Sequence, residues 1–173
     1  FGYDHLNASP SRKPLLGFYD ESDPEASDWT IKFMVEHGID VRTSIWYRNG
    51  GINAPLREYT HTPQYKTMQN AKYADKMQWF ILWDNSSDLG LGSADKNLDA
   101  FLKYVAPYWI EYYFKDPNYY KINGRPVIGA YYFWTMQGDF TQDTKAGLDK
   151  FRQLCVDSGV GEPLFWLDRN SDS

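Results

Sequence analysis

The chain has a single cysteine, Cys155. No internal disulfide can hold the fold, and with Phe151 and Leu154 for neighbours the thiol reads as a buried apolar group. Histidine is almost as scarce. His5, His37 and His61 lack the spacing of metal ligands, and His37 is explained by a helix end. Asp84, Ser86 and Asp88 alternate like a calcium loop but miss its glycine and its closing glutamate. No metal and no other cofactor is expected. No apolar run approaches the ~18 residues of a membrane span, and the opening FGYDHLNASPSRK lacks the layout of a signal peptide. Positive charge is short too, with 18 Lys and Arg against 23 Asp and Glu and a net charge of -5. With its Lys and Arg scattered, the chain offers no basic face to nucleic acid, which is not an expected partner. Gly90-Leu91-Gly92 is too little for a phosphate cradle, and no Ser-His-Asp order suggests acyl transfer.

Aromatic side chains are what the sequence has in excess. They make up 18% of residues, with 7 Trp and 14 Tyr, more than a core of Leu, Ile and Val requires. One use is a carbohydrate site, because the C–H faces of sugar rings stack on indole and phenol rings while neighbouring polar groups take the hydroxyls. Plain packing is the other use.

Five apolar runs alternate with helix-like stretches: Pro14 to Tyr19, Ile39 to Trp46, Trp79 to Trp83, Pro126 to Phe133 and Leu164 to Leu167. Such alternation predicts an α/β fold with a parallel sheet. Polar or aromatic residues follow each run at once, as on the working face of a TIM-type (β/α) barrel. A closed barrel of eight units takes roughly 250 residues, and this chain has 173. The expectation is an incomplete barrel of about five βα units over residues 14–173, preceded by a linker over 1–13 rich in turn formers, with further domains in a parent chain.

Between the runs, Ser22-Asp23-Pro24-Glu25 predicts a capping box with Ser22 as N-cap, and Gly38 a helix stop. A long connection from Gly50-Gly51 to Pro63 precedes a helix over Gln64 to Lys76. Leu98, Phe101, Leu102 and Val105 mark another helix, which Pro107 should kink or end. Asn123-Gly124 predicts a tight turn. Leu148, Phe151 and Leu154 share one face of a last helix, closed by Ser158-Gly159.

With these residues in place, the chain resembles the glycoside-hydrolase-99-like proteins, in particular the WbsX-like glycosyltransferases. The likeness rests on GFYD at Gly17 to Asp20, HGIDVRTSIWY at His37 to Tyr47, WFILWDN at Trp79 to Asn85 and YFKDPNYYKINGRPVIGAYY at Tyr113 to Tyr132. It implies a (β/α)8 barrel acting on glycans in polysaccharide biosynthesis or breakdown. It also implies an acidic residue after the third strand, for which Asp88 is a loose substitute, and catalytic glutamates on units beyond Ser173.

Hydrolysis of a glycosidic bond needs two carboxyl groups, about 5 Å apart for retention or roughly 6.5–9.5 Å for inversion. Asp20, Glu21, Asp84 and Asp168 are placed to project from strand ends, though helix-end charge, a turn and a rim ion pair explain them as well. Trp46, Tyr47, Trp83, Tyr132 and Trp134 are the candidate stacking platforms, and Tyr19 and Asn85 complete the expected sugar contacts. Arg48 and Arg169 are candidates to orient an acidic sugar. Three functions remain open: a glycoside hydrolase of the endo type, a non-catalytic glycan-binding scaffold, and a polysaccharide-biosynthesis glycosyltransferase. The last would need a diphosphate site, and neither an Asp-x-Asp nor a glycine-rich helix start is present. The cell envelope or exterior is favoured over the cytoplasm.

Overall fold

The computed structural model describes residues 11, 13–20, 22–46, 68–84, 98–131 and 144–167. Four parallel strands form the sheet: β1 (Val41–Trp46), β2 (Gln78–Trp83), β4 (Arg125–Ala130) and β5 (Leu164–Leu167), in the order β1-β2-β4-β5. The two-residue β3 (Lys121–Ile122) pairs antiparallel with the start of β4. Their link is Asn123-Gly124, both at positive φ (52° and 77°), the left-handed pair that a two-residue hairpin turn demands.

Four of the five expected strands are therefore present. The exception is Pro14 to Tyr19, which forms a turn closed by Gly17 N–H on the Pro14 carbonyl, with Leu15 89% exposed. Proline lacks the N–H for a ladder and Gly17 stands at φ 76°, so the segment has the chemistry of a turn despite its apolar residues.

Helix α1 (Pro24–Glu36) follows. Its N-cap is Asp23, whose carboxylate accepts the Glu25 N–H at 2.9 Å, in place of the expected Ser22. Pro24 occupies the first helical position, which makes the residue before it the cap. The helix stops at His37 and Gly38, the latter at φ 75°. Beyond β1, Met68 to Asn70 are helical and Ala74–Lys76 form a single 3-10 turn. This stretch packs Met68, Ala71 and Met77 against Ile31 of α1.

Helix α2 runs through 98–114 without ending at Pro107. Two of its segments, Phe101–Val105 and Ile110–Phe114, take the wider π register. Two facts account for the widening. Buried Phe101, Val105, Trp109 and Tyr113 recur every four residues, a spacing that drifts about 40° per step around an α-helix, and π turns absorb that drift. The first π segment also lies where the Pro107 ring would meet the carbonyl four residues back. Helix α3 (Thr144–Asp157) closes with Gly159 at φ 76°.

The main core lies between the sheet and helices α2 and α3. Trp79, Ile81 and Trp83 of β2 meet Phe101, Trp109 and Tyr113 of α2, with Phe151 and Cys155 of α3 beside them. Most ring pairs meet edge to face, as between Trp79 and Tyr113 at 5.4 Å and Phe101 and Phe151 at 5.2 Å, the arrangement that ring quadrupoles favour. The high aromatic content is, in large part, this layer.

Candidate functional site at the strand tips

Register decides which side chains share the working end of the sheet. Leu82 of β2 pairs with Gly129 of β4. One step beyond the strands the ladder continues: Asp84 N–H donates to the Trp46 carbonyl and Tyr131 N–H to the Trp83 carbonyl, both at 3.0 Å. A residue two positions on in a pleated strand returns to the same face. Asp84 therefore stands above Leu82 and Tyr131 above Gly129, side by side on neighbouring strands. Both are partly buried.

That face is the one turned away from α2 and α3. Ile45, Leu82, Gly129 and Trp166 form its last complete row across the four strands. A Cβ on Gly129 would lie 2.8 Å from Leu82 Cδ1 and 3.3 Å from both Leu82 Cα and Trp166 Cε3, so the missing side chain leaves space first for Leu82 and then for the indole. Phe80, in the row below, meets Trp166 edge to face at 6.2 Å. Trp166 remains 50% exposed and Ile45 47%.

The expected platforms Trp46 and Trp83 face the other way. The pleat turns both to the helix side, where Trp109 meets Trp46 edge to face at 5.0 Å and Phe101 stacks on Trp83 at 5.4 Å. At 3% and 2% exposure their ring faces are filled by protein. Asp20 is engaged locally: its carboxylate accepts from the Ser22 hydroxyl at 2.7 Å and the Ser22 N–H at 2.8 Å. Those bonds, the hydroxyl's first, hold its pKa below the usual carboxylate value. Tyr19 beside it is exposed. Glu21, Tyr47, Arg48, Asn85, Asp88, Tyr132, Trp134, Asp168 and Arg169 lie outside the described residues. Of the expected contacts, then, Asp84 holds its place at a strand tip. Tyr131 and Trp166 were not expected. Counting in twos from a strand tip whose face is known would have found them, but the sequence does not fix the face.

Among the described residues no three His, Cys, Asp or Glu side chains cluster to hold a metal ion. Nor is any helix there long and apolar enough to cross a membrane.

The family model described as glycosyltransferase WbsX matches residues 5–173. The chain belongs to that family. No curated protein matches the sequence. Among solved structures, the fold is similar to the GH99 endo-alpha-mannosidase from Bacteroides thetaiotaomicron, at a TM-score of 0.53 and 12% identity over 90% of this chain and 56% of that one. The same enzyme in complex with bis-tris-propane gives a TM-score of 0.51 and 12% identity, over 90% of this chain and 59% of that one. The likeness makes this sheet and its helices part of a (β/α) barrel, with the Asp84 and Tyr131 row at the carboxyl ends of its strands. The chain spans somewhat over half the length of those enzymes. Its WbsX membership and its GH99-like fold together place it among carbohydrate-active folds.

Proposed function

We propose that this WbsX-family chain takes part in hydrolysis of a polysaccharide or glycan, in endo fashion, by carboxylate acid/base catalysis. The observation carrying this reading is the row formed by Asp84 and Tyr131. It sets a carboxylate beside a phenol at the carboxyl ends of adjacent parallel strands, where barrels of this kind hold their chemistry. Among the described residues Asp84 is the one carboxylate at such a tip. In this proposal its carboxylate accepts a hydrogen bond from a sugar hydroxyl, and the second carboxyl group that hydrolysis needs comes from Glu21, Asp168 or further barrel units.

A nucleotide-sugar transferase is the weaker alternative, since the sequence lacks the diphosphate site such a donor needs. A non-catalytic glycan binder is the remaining one. Incubating the chain with α-mannooligosaccharides, β-linked glucan oligosaccharides and nucleotide sugars separates the three. New reducing ends, lost on Asp84→Asn, support hydrolysis. Binding without cleavage supports the binder, and nucleotide release supports transfer.

A further inference from the structure

We infer that Gly129 is a positioning residue for the strand-tip site: its lack of a side chain lets β2 and β4 close up at the row below Asp84 and Tyr131, and so sets those two side chains abreast. The inference rests on the carbohydrate reading above and deepens it by naming what holds the geometry of the site.

Three observations carry it. The first is where the strands meet. β2 and β4 pair directly at only two rungs, Leu82 with Gly129 and Trp83 with Ala130, and the next ladder bond is the Tyr131 N–H on the Trp83 carbonyl at 3.0 Å. Gly129 is therefore the residue at which β4 first comes up against β2, two positions before Tyr131. The second is how closely they approach. A Cβ on Gly129 would lie 3.3 Å from Leu82 Cα, inside the 3.4 Å at which ordinary van der Waals contact begins. That neighbour is backbone and cannot rotate aside, and a glycine within a strand is the residue that admits such an approach. The third is confinement. On its other side Gly129 pairs with Trp166 of β5, whose Cε3 would also lie 3.3 Å from that Cβ, so β4 cannot move off β2 without pressing on the indole. All these contacts join directly paired neighbouring strands, and they hold whatever else packs on that face.

The consequence is asymmetric. The Asp84 N–H is bonded to the Trp46 carbonyl of β1 at 3.0 Å, on the far side of β2. An alanine at 129 must push β4 away from β2, which loosens the Tyr131 bond and spares the Asp84 bond. Tyr131 then moves relative to Asp84, and a binding constellation tolerates only about 0.5 Å of such displacement.

Amide hydrogen exchange of Gly129→Ala, with isothermal titration of α-mannotetraose beside it, tests the inference. The Tyr131 amide is expected to exchange about tenfold faster or more, the Asp84 amide at the parent rate, and the affinity to fall about tenfold. Equal acceleration of the two amides would be general destabilisation and overturns the proposal, as does an unmoved Tyr131 amide. Selective loss at Tyr131 with unchanged affinity overturns the part of Gly129 in the site and leaves the carbohydrate reading standing. The control is Gly147→Ala in α3, whose Cβ would meet the Leu98 side chain at 3.1 Å. It should leave both amides and the affinity as in the parent, and an equal effect from it on Tyr131 also overturns the proposal. Gly129→Ala combined with Leu82→Ala removes the 2.8 Å contact with Leu82 Cδ1 and keeps the one with the backbone. The selective loss at Tyr131 should persist in it, whereas protection restored to the parent level would mean that the glycine only seats the leucine, and sinks the idea. The same double variant is read in place of Gly129→Ala should the single one fail to fold. A parent chain that binds no saccharide removes the carbohydrate reading alone, and the two amides still decide the positioning.

Discussion

The Tyr119 hydroxyl donates a hydrogen bond to the Val127 carbonyl at 2.7 Å and accepts one from the Ile81 N–H at 3.3 Å. It thereby bridges β2 and β4 where the two strands part company. They pair directly only at Leu82 with Gly129 and Trp83 with Ala130. Below that point Tyr119 and Tyr120 are wedged between them, with Tyr120 N–H on the Trp79 carbonyl and Val127 N–H on the Tyr120 carbonyl. The wedge supports the end of the sheet that carries Asp84 and Tyr131.

Tyr119→Phe keeps the ring and deletes both bonds. The Ile81 N–H and the Val127 carbonyl lose a partner in the buried interior, at roughly 1–3 kcal/mol for each group left unsatisfied. Urea denaturation should show a lower midpoint at an unchanged slope. A variant as stable as the parent would mean that the bridge does not matter.

The wedge also depends on the hairpin turn, against which Gly161 packs. Gly161 stands at φ 82° and a Cβ there would lie 2.8 Å from the Gly124 carbonyl oxygen, whereas Gly38, at φ 75°, faces open space. Gly38→Ala should therefore cost only the left-handed strain, about 1–2 kcal/mol, and Gly161→Ala should cost visibly more. Thermal unfolding of the two variants side by side checks the order.

The alkaline limit of stability is set in part by Cys155. Burial raises its thiol from the ordinary value of 9.0 up to about 12, because an apolar surrounding disfavours the thiolate. With the folded value above the unfolded one, this contribution is complete below pH 9.0 and disappears as pH rises to about 12. Burial raises the Tyr119 phenol as well, so its loss falls on the same alkaline side. Cys155→Ala should flatten the fall in unfolding free energy across that range without abolishing it. The native thiol should also react with a disulfide reagent far more slowly than the unfolded chain.

Trp83 packs against Phe101 at 5.4 Å and Trp109 at 5.5 Å. Trp83→Ala is expected to destabilise by about 3–5 kcal/mol, while Trp83→Phe, which keeps most of the apolar volume, should cost less. A Trp83→Ala chain of parent stability would show that its site is not core.

Strand positions were legible because apolar runs bounded by turn formers leave few alternatives: Leu164–Leu167 falls where its residues predict, and Asn123-Gly124 marks its hairpin. Facing was not. A strand such as Trp-Phe-Ile-Leu-Trp at Trp79 to Trp83 is apolar at every position, as parallel strands covered on both sides are, so the pattern does not reveal which side meets the helices. That ambiguity made Trp46 and Trp83 look like platforms, and hid Trp166 and Tyr131. Two other departures are local. Pro14 to Tyr19 has the composition of a strand but the backbone demands of a turn, and the helix passes Pro107 because its turns widen, which residue periodicity alone does not signal.

The most direct measurement is the position of a bound oligosaccharide in a crystal of the chain soaked with α-mannotetraose. The account predicts sugar density at the carboxyl ends of β2 and β4, within hydrogen-bond distance of Asp84. Density confined to the helix side of the sheet would contradict it.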